Sequence, residues 1–482
     1  MQAPREQMGT RQLGWMTAAL LMTGSFGTSN KDLIDLAGVE AWFAFYGPTV
    51  YSLAIAFVFY RLSVVFPGKN LYQIIRITMG NVPGGILNLI LILYFWLLLM
   101  RDMKGLTFFI NTMLLQRTPQ EIVLFTLFLV LLYFGRSSFE VVLRVNDIVF
   151  PILMFAFLFL PLLLSNEFAF RDMLPLMNDP VREVAGINFL ALGSYGDLLL
   201  VGAFLHMLTV PRQLHTGIRY GVLLGGFVTT VLMMLVIGVL GPAVGGRSFY
   251  PLYMLAQNIH LTDFLDRVEI FFYSVWFPVF MVKTLATYFA VLNGIGSFFK
   301  PGSERIFNRI TCWIVLVTAM ASIRNISEQL ELARTLPILA LLVPVPTLLI
   351  VLALSGKYRR KRTPDQSKAA EEKSVSSKGH TGKKTNQTSG NPVTGKLRKL
   401  SYEDTIRFGT WMIIVSGAGL CGGFLFGGWF PTLANICAGT FLFGMFAALV
   451  SSHYEMANAS VPETSSHSAS NKQTAGKAET AN

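Results

Sequence analysis

Twelve mainly apolar stretches follow one another along the chain, each near the roughly 20 residues needed to cross a bilayer. They cover 12–36, 41–65, 84–113, 119–135, 146–165, 187–209, 220–241, 268–297, 308–323 and 336–355, then 407–427 and 431–450. This pattern predicts an all-α polytopic membrane protein of ten spans plus two. Two of the runs are interrupted: the first by Gly24-Ser25-Phe26-Gly27-Thr28-Ser29-Asn30, the sixth by Gly193-Ser194-Tyr195-Gly196-Asp197. Hydrocarbon offers no partner to a backbone N–H or C=O, so a span is expected to break only where the freed groups line a cavity or hold something.

Spans 1–5 and 6–10 form two equal sets, and because five is odd the second set must run inverted. Each set opens with its interrupted helix. Inverted repeats whose broken helices meet at mid-membrane describe the LeuT-type 5+5 architecture, here with a C-terminal two-helix extension. The expected organisation is a transporter-like core over 1–355, a basic disordered cytoplasmic linker over 356–402, a two-span hairpin over 403–453 and a disordered polar tail over 454–482. Two longer outer loops, 166–186 and 242–267, include the amphipathic piece Tyr253–Leu265, expected to lie on the surface as a half-helix.

Composition supports the membrane reading: of 482 residues, 53% are hydrophobic and 14% charged, which excludes an ordinary soluble enzyme. The net charge of +12 is concentrated, with 13 Lys and Arg against three acids between Lys357 and Lys399. The basicity therefore belongs to a linker beside a membrane and implies no nucleic acid. With Arg5 and Arg11 inside, that cluster follows an even number of spans, so both termini are expected in the cytoplasm. Cys312, Cys421 and Cys437 fit no disulfide or zinc spacing and read as small core residues.

Ionisable groups at bilayer depth are costly and mark candidate chemistry. Asp197, beside the sixth-span break, either binds a cation or a ligand's ammonium, or caps the second half-helix. Lys283 in the eighth span either takes the place of a sodium ion, tying spans 1 and 8 together, or snorkels to the interface. Arg101, Asp102 and Lys104 in the third span offer a carboxylate site or ion path through the i, i+3 pair Arg101 and Lys104, or a structural ion pair. Lys31 and Asp32 are gating charges or vestibule residues. The candidate ligand-binding set is Gly24, Ser25, Phe26, Gly27, Thr28, Tyr94, Gly193, Ser194, Tyr195, Gly196, Asp197, Tyr273 and Trp276, with Arg101, Lys104, Asp197 and Lys283 as the ion pathway. Gly417-Ala418-Gly419-Leu420-Cys421-Gly422 superficially fits a dinucleotide fingerprint but lies in an apolar run, where close helix packing explains it. With no Walker A lysine, HExxH or nucleophile elbow, no enzyme activity, metal or cofactor is implied.

An ordered series of short landmarks resembles the spore germination permease family, the B subunit of germinant receptors within the amino acid–polyamine–organocation superfamily. The series runs through Ala37-Gly38-Val39-Glu40-Ala41-Trp42, Phe66-Pro67-Gly68-Lys69-Asn70-Leu71, Arg117-Thr118-Pro119, Phe139-Glu140 with Val142-Leu143-Arg144, Leu174-Pro175-Leu176 and Tyr250-Pro251-Leu252. It continues from Asp266-Arg267 to Trp276 and Lys283, covering roughly 10–355. Departures are the polar Thr28-Ser29-Asn30-Lys31-Asp32, aspartate at 197 where the family often has glutamate, and the added hairpin. The resemblance implies a nutrient sensor of the spore inner membrane that binds an amino acid between spans 1 and 6. Partner A and C subunits would turn binding into ion release. A proton- or cation-coupled amino acid symporter of the same fold is the competing expectation.

Overall fold

The computed structural model describes residues 8–25, 29–178, 180–208, 210–259, 268–299, 304–356 and 402–459. The expected linker, the polar tail from residue 460, Phe26, Gly27 and Thr28 lie outside the described residues. Every regular element described is helical. The first span is α1 (Thr10–Ser25) followed by α2 (Ser29–Ala37), so the chain does stop its first helix inside the Gly/Ser stretch. A 3₁₀ helix, Gly38–Phe45, and α3 (Tyr46–Val65) follow directly. Hydrogen bonding makes Asn30–Val65 one helical stretch, yet Gly38 has φ +45°, outside any straight helix of L-residues. The path turns there, near the expected boundary between spans 1 and 2.

Between the second and third apolar runs the structure has α4 (Leu71–Met79). It starts at Asn70, whose Oδ1 accepts from the Gln73 backbone while Gln73 Oε1 accepts from Asn70, a reciprocal cap. Next come α5 (Asn81–Phe109), extended by a π-helical turn Ile110–Leu114, then α6 (Gln120–Phe134), α7 (Phe139–Leu163) and α8 (Val181–Tyr195). The sixth span does not unwind at its glycines. It tightens into a 3₁₀ helix, Gly196–Met207, which is long for that conformation.

The second half continues as α9 (Pro211–Gly245), α10 (Pro251–Gln257), α11 (Val268–Gly296), α12 (Glu304–Ser322), α13 (Ile326–Leu342) and α14 (344–356). The hairpin is α15 (Tyr402–Phe426) and α16 (Pro431–Ala459). α10 starts at Pro251, two residues before the expected half-helix, because proline suits a first helical turn; residues 260–267 lie outside the described residues. Among the described residues nine helices are long and apolar enough to cross a membrane, and Gln120–Phe134 and Phe307–Ser322 are apolar but shorter. The expectation of twelve crossings rests, beyond these nine, on those two and on the interrupted first span.

The packing follows from small residues. α1 lies against α9 along Gly217, Gly221 and Gly225, where added Cβ atoms would meet the Thr10 carbonyl, the Gly14 carbonyl and Leu21 in turn. Gly221→Leu is expected to lower the thermal unfolding temperature of the purified protein. Overpacking costs about 1–3 kcal/mol, and here the obstacle is backbone that cannot rotate away. An unchanged melting curve would mean that α1 and α9 are not locked together. The expectation that all three cysteines are core residues needs correction. Cys312 is buried, but Cys437 is half-buried and Cys421 exposed, since α15 packs on one side only.

Candidate functional site

Four ionisable side chains meet where the two interrupted spans touch. α5 supplies Arg101 and Asp102, the 3₁₀ helix after α8 supplies Asp197, and α11 supplies Lys283. Arg101 Nη2 donates to Asp197 Oδ2 at 2.8 Å, and its Nε donates to Asp102 Oδ1 at 2.8 Å. Lys283 Nζ is ion-paired with Asp197 Oδ2 at 2.7 Å and with Asp102 Oδ1 at 3.4 Å. Asp197 and Lys283 are 0% exposed, Asp102 3% and Arg101 8%. Two cations and two carboxylates sum to zero. Neutrality is required here, because each charge taken out of water costs several kcal/mol unless it is paired.

The end of the first helix completes the cluster. A Cβ on Gly24 would stand 2.9 Å from Lys283 Nζ and 3.3 Å from Asp197 Oδ2. Hydrogen alone at position 24 lets the ammonium approach the last turn of α1, whose unpaired carbonyls favour a cation. Ser194 Oγ donates to the Gly24 carbonyl at 3.3 Å, joining the two breaks directly. The snorkelling alternative for Lys283 and the capping alternative for Asp197 both fall. Lys283 is spent on buried carboxylates, and the 3₁₀ helix has no side-chain cap while Asp197 Oδ2 faces two cations.

Beside the network lies a cavity of about 60 Å³. At ~10–15 Å³ as the least space that admits one water, it has room for water or a small ligand. Gly24, Arg101, Asp102, Gly193, Ser194 and Trp276 line it, each among the residues singled out from sequence. Other candidates stand elsewhere. Asp197 lies behind Arg101 and off the cavity wall. Tyr195 turns away, its hydroxyl 3.1 Å from Thr229 Oγ1 and its ring against Phe45. Tyr94 is buried against Gly196, also off the wall. Tyr273 stacks on Phe109 at 4.9 Å, one layer out. Lys104 does not share the work of Arg101; its Nζ lies over the Phe108 ring at 4.9 Å. The side chains of Ser25 and of residues 26–28 lie outside the described residues.

Phe109, Tyr250, Phe280 and Gln329 also line the cavity and were not singled out from sequence. Gln329 had a readable signal. Asn325 caps α13 by accepting from the Glu328 backbone at 2.9 Å, and that Asn-x-x-Glu start places Gln329 in a helix, not a loop. Above the cavity, Arg334 Nε and Nη2 clasp Asp32 Oδ2 and Oδ1 at 3.1 and 2.8 Å, joining α2 to α13. Asp32 is therefore a buried clamp and not a free vestibule charge. Lys31 pairs locally with Asp35 at 2.5 Å.

A family model for spore permeases, described as spore germination protein, matches residues 10–330. The Bacillus subtilis (strain 168) protein YfkT, whose name assigns it provisionally to spore germination, is 25% identical over 324 residues, 66% of this chain and 89% of that protein. Spore germination protein KB of the same organism is 21% identical over 337 residues, 68% of this chain and 90% of that protein. Among solved structures, Mhp1, a nucleobase-cation-symport-1 family transporter with bromovinylhydantoin bound, superposes with a TM-score of 0.53 at 12% identity. The superposition covers 94% of this chain and 92% of that one. The similarity is one of fold.

Proposed function

The chain belongs to the spore germination protein family, a family of non-enzymatic membrane proteins, and on that premise we propose that it is the nutrient-sensing subunit of a germinant receptor. Its ligand is an amino acid held beside the junction of spans 1 and 6. Binding triggers ion release together with A and C subunits in the inner membrane of the spore. The core is a 5+5 inverted repeat within twelve crossings, with both termini cytoplasmic.

One observation carries the mechanism: the neutral network of Arg101, Asp102, Asp197 and Lys283 bridges three elements, and two of its members, Arg101 and Asp102, line the cavity. A ligand shifts a conformational equilibrium only through differential affinity for its two states. A charged ligand that engages Arg101 or Asp102 competes with the bonds tying α5 to the sixth span and α11, and so biases their arrangement. Lys283 already supplies a cation between the two carboxylates, which argues against sodium coupling.

Uptake of labelled amino acids into vesicles holding this protein alone, wild type beside Asp197→Ala, tests the reading, together with germination of spores carrying each form. Expected are no accumulation in vesicles and loss of the nutrient response in the variant spores. Accumulation that depends on Asp197 would overturn the sensor and establish a symporter.

A further inference from the structure

The polar atoms around the cavity are unevenly used. Asp102 spends Oδ1 on Arg101 and Lys283, while among the described residues Oδ2 is buried without a hydrogen-bond partner. Gln329 donates Nε2 to the Arg101 carbonyl at 3.1 Å, which leaves Oε1 buried without a partner. Asp102 is 3% exposed and Gln329 6%. The Gln329 bond to the carbonyl of the residue preceding Asp102 ties α13 to α5 beside the cavity that both side chains line. A buried acceptor left unsatisfied costs about 1–3 kcal/mol, and two on the wall of one cavity ask for a donor with more than one hydrogen. On the other side of the charge count, Arg101 commits Nε and Nη2 to the two aspartates, and no partner engages Nη1 among the described residues.

We propose that Asp102 and Gln329, rather than the broken ends of spans 1 and 6, hold the ammonium group of the ligand, and that Arg101 Nη1 receives its acid group. The inference deepens the ligand-binding reading above and rests on it. Three features set the ligand class. An ammonium supplies three donors to the two orphaned acceptors. The network is already neutral, so a bare cation or anion would leave a buried net charge, whereas a zwitterion preserves the balance. The cavity of about 60 Å³ suits a small ligand. Trp276, in ring contact with Phe109 at 5.4 Å and with Phe280 at 5.1 Å, forms an aromatic wall beside these groups. The ligand is thus a small zwitterion, oriented by α5 and α13.

The test is titration calorimetry on the full chain in nanodiscs, with free glycine, methylammonium and acetate as probes. Wild type is compared with Gln329→Leu, Gln329→Glu and Asp102→Asn. Wild type is expected to bind glycine at least tenfold more tightly than either ion. Gln329→Leu should weaken glycine about tenfold or more, the effect of a hydrogen bond to a charged group. Gln329→Glu should raise methylammonium binding above wild type, a gain that a misfolded protein cannot produce. Glycine binding unchanged in both Gln329→Leu and Asp102→Asn would overturn the assignment. So would a folded wild-type protein that binds none of the zwitterions from glycine to 4-aminobutyrate. The sensor reading fails separately: zwitterion binding through Gln329 in a protein whose spores show no nutrient response sinks the sensor and leaves the binding residues standing.

Discussion

Lys283→Met is expected to destabilise the folded protein by about 3–5 kcal/mol, the usual cost of removing one partner from a buried charge network. Methionine nearly preserves the side-chain volume, so packing loss contributes little. The electrostatic loss is large: Asp197 Oδ2 loses a cation at 2.7 Å and Asp102 Oδ1 one at 3.4 Å, leaving Arg101 alone against two carboxylates. Adding Asp197→Asn restores neutrality, with Arg101 facing Asp102 only, and should recover most of the loss. Denaturant unfolding of the two single variants and the double variant closes the cycle. A loss below about 1 kcal/mol for Lys283→Met would mean that water reaches the network, since exposed pairs contribute no more than that. The double variant also separates two roles. It should fold but give no nutrient response, because Asp197 no longer ties α5 to the sixth span.

The helical membrane character was legible because long apolar runs dominate this chain, and both interruptions announced themselves through clustered glycine and polar residues inside an apolar run. What the residues at a break do to the backbone was not legible. Gly196-Asp197 suggests a break, but Leu198 to Val201 contains no further turn residue and the chain keeps hydrogen-bonding in a tighter helix. For Lys283 the sequence leaves two readings, a tie between spans 1 and 8 or a snorkelling lysine, and its ion pairs with Asp197 and Asp102 are legible in neither. Helical spacing groups Arg101 with Lys104. Side chains of that length diverge from one face: Arg101 reaches the sixth span, while Lys104 lies over Phe108. Gln329 is not legible from hydropathy, because the tenth apolar run begins at 336, after the polar turn of α13 that carries it.

Arg219→Leu is expected to release the C-terminal hairpin from the core, and Glu455→Leu to do so far less. The family match ends at residue 330, so the hairpin lies beyond it, yet α16 packs along α9 as part of the same body. Arg219 of α9 is buried under the hairpin. Its Nη2 donates to the Ile406 carbonyl and to Thr410 Oγ1 at 3.2 Å each, and its Nε faces Glu455 at 3.7 Å. Around this polar centre, Phe441 packs edge-on to Trp42, Phe43 and Tyr46, and the Tyr46 hydroxyl donates to the Ile413 carbonyl at 2.8 Å. The asymmetry follows from what each deletion strands. Without Arg219, Glu455 is fully buried and loses its ion-pair partner, at a cost of about 3–5 kcal/mol. Without Glu455, Arg219 keeps two oxygen acceptors from α15. A protease site inserted between 357 and 401 gives the measurement: after cleavage, the wild-type hairpin should co-elute with the core on size exclusion, and the Arg219→Leu hairpin should not. The Arg219→Leu/Glu455→Leu double variant should co-elute again. Such a return would identify the stranded carboxylate, and not lost packing, as the force that opens the contact.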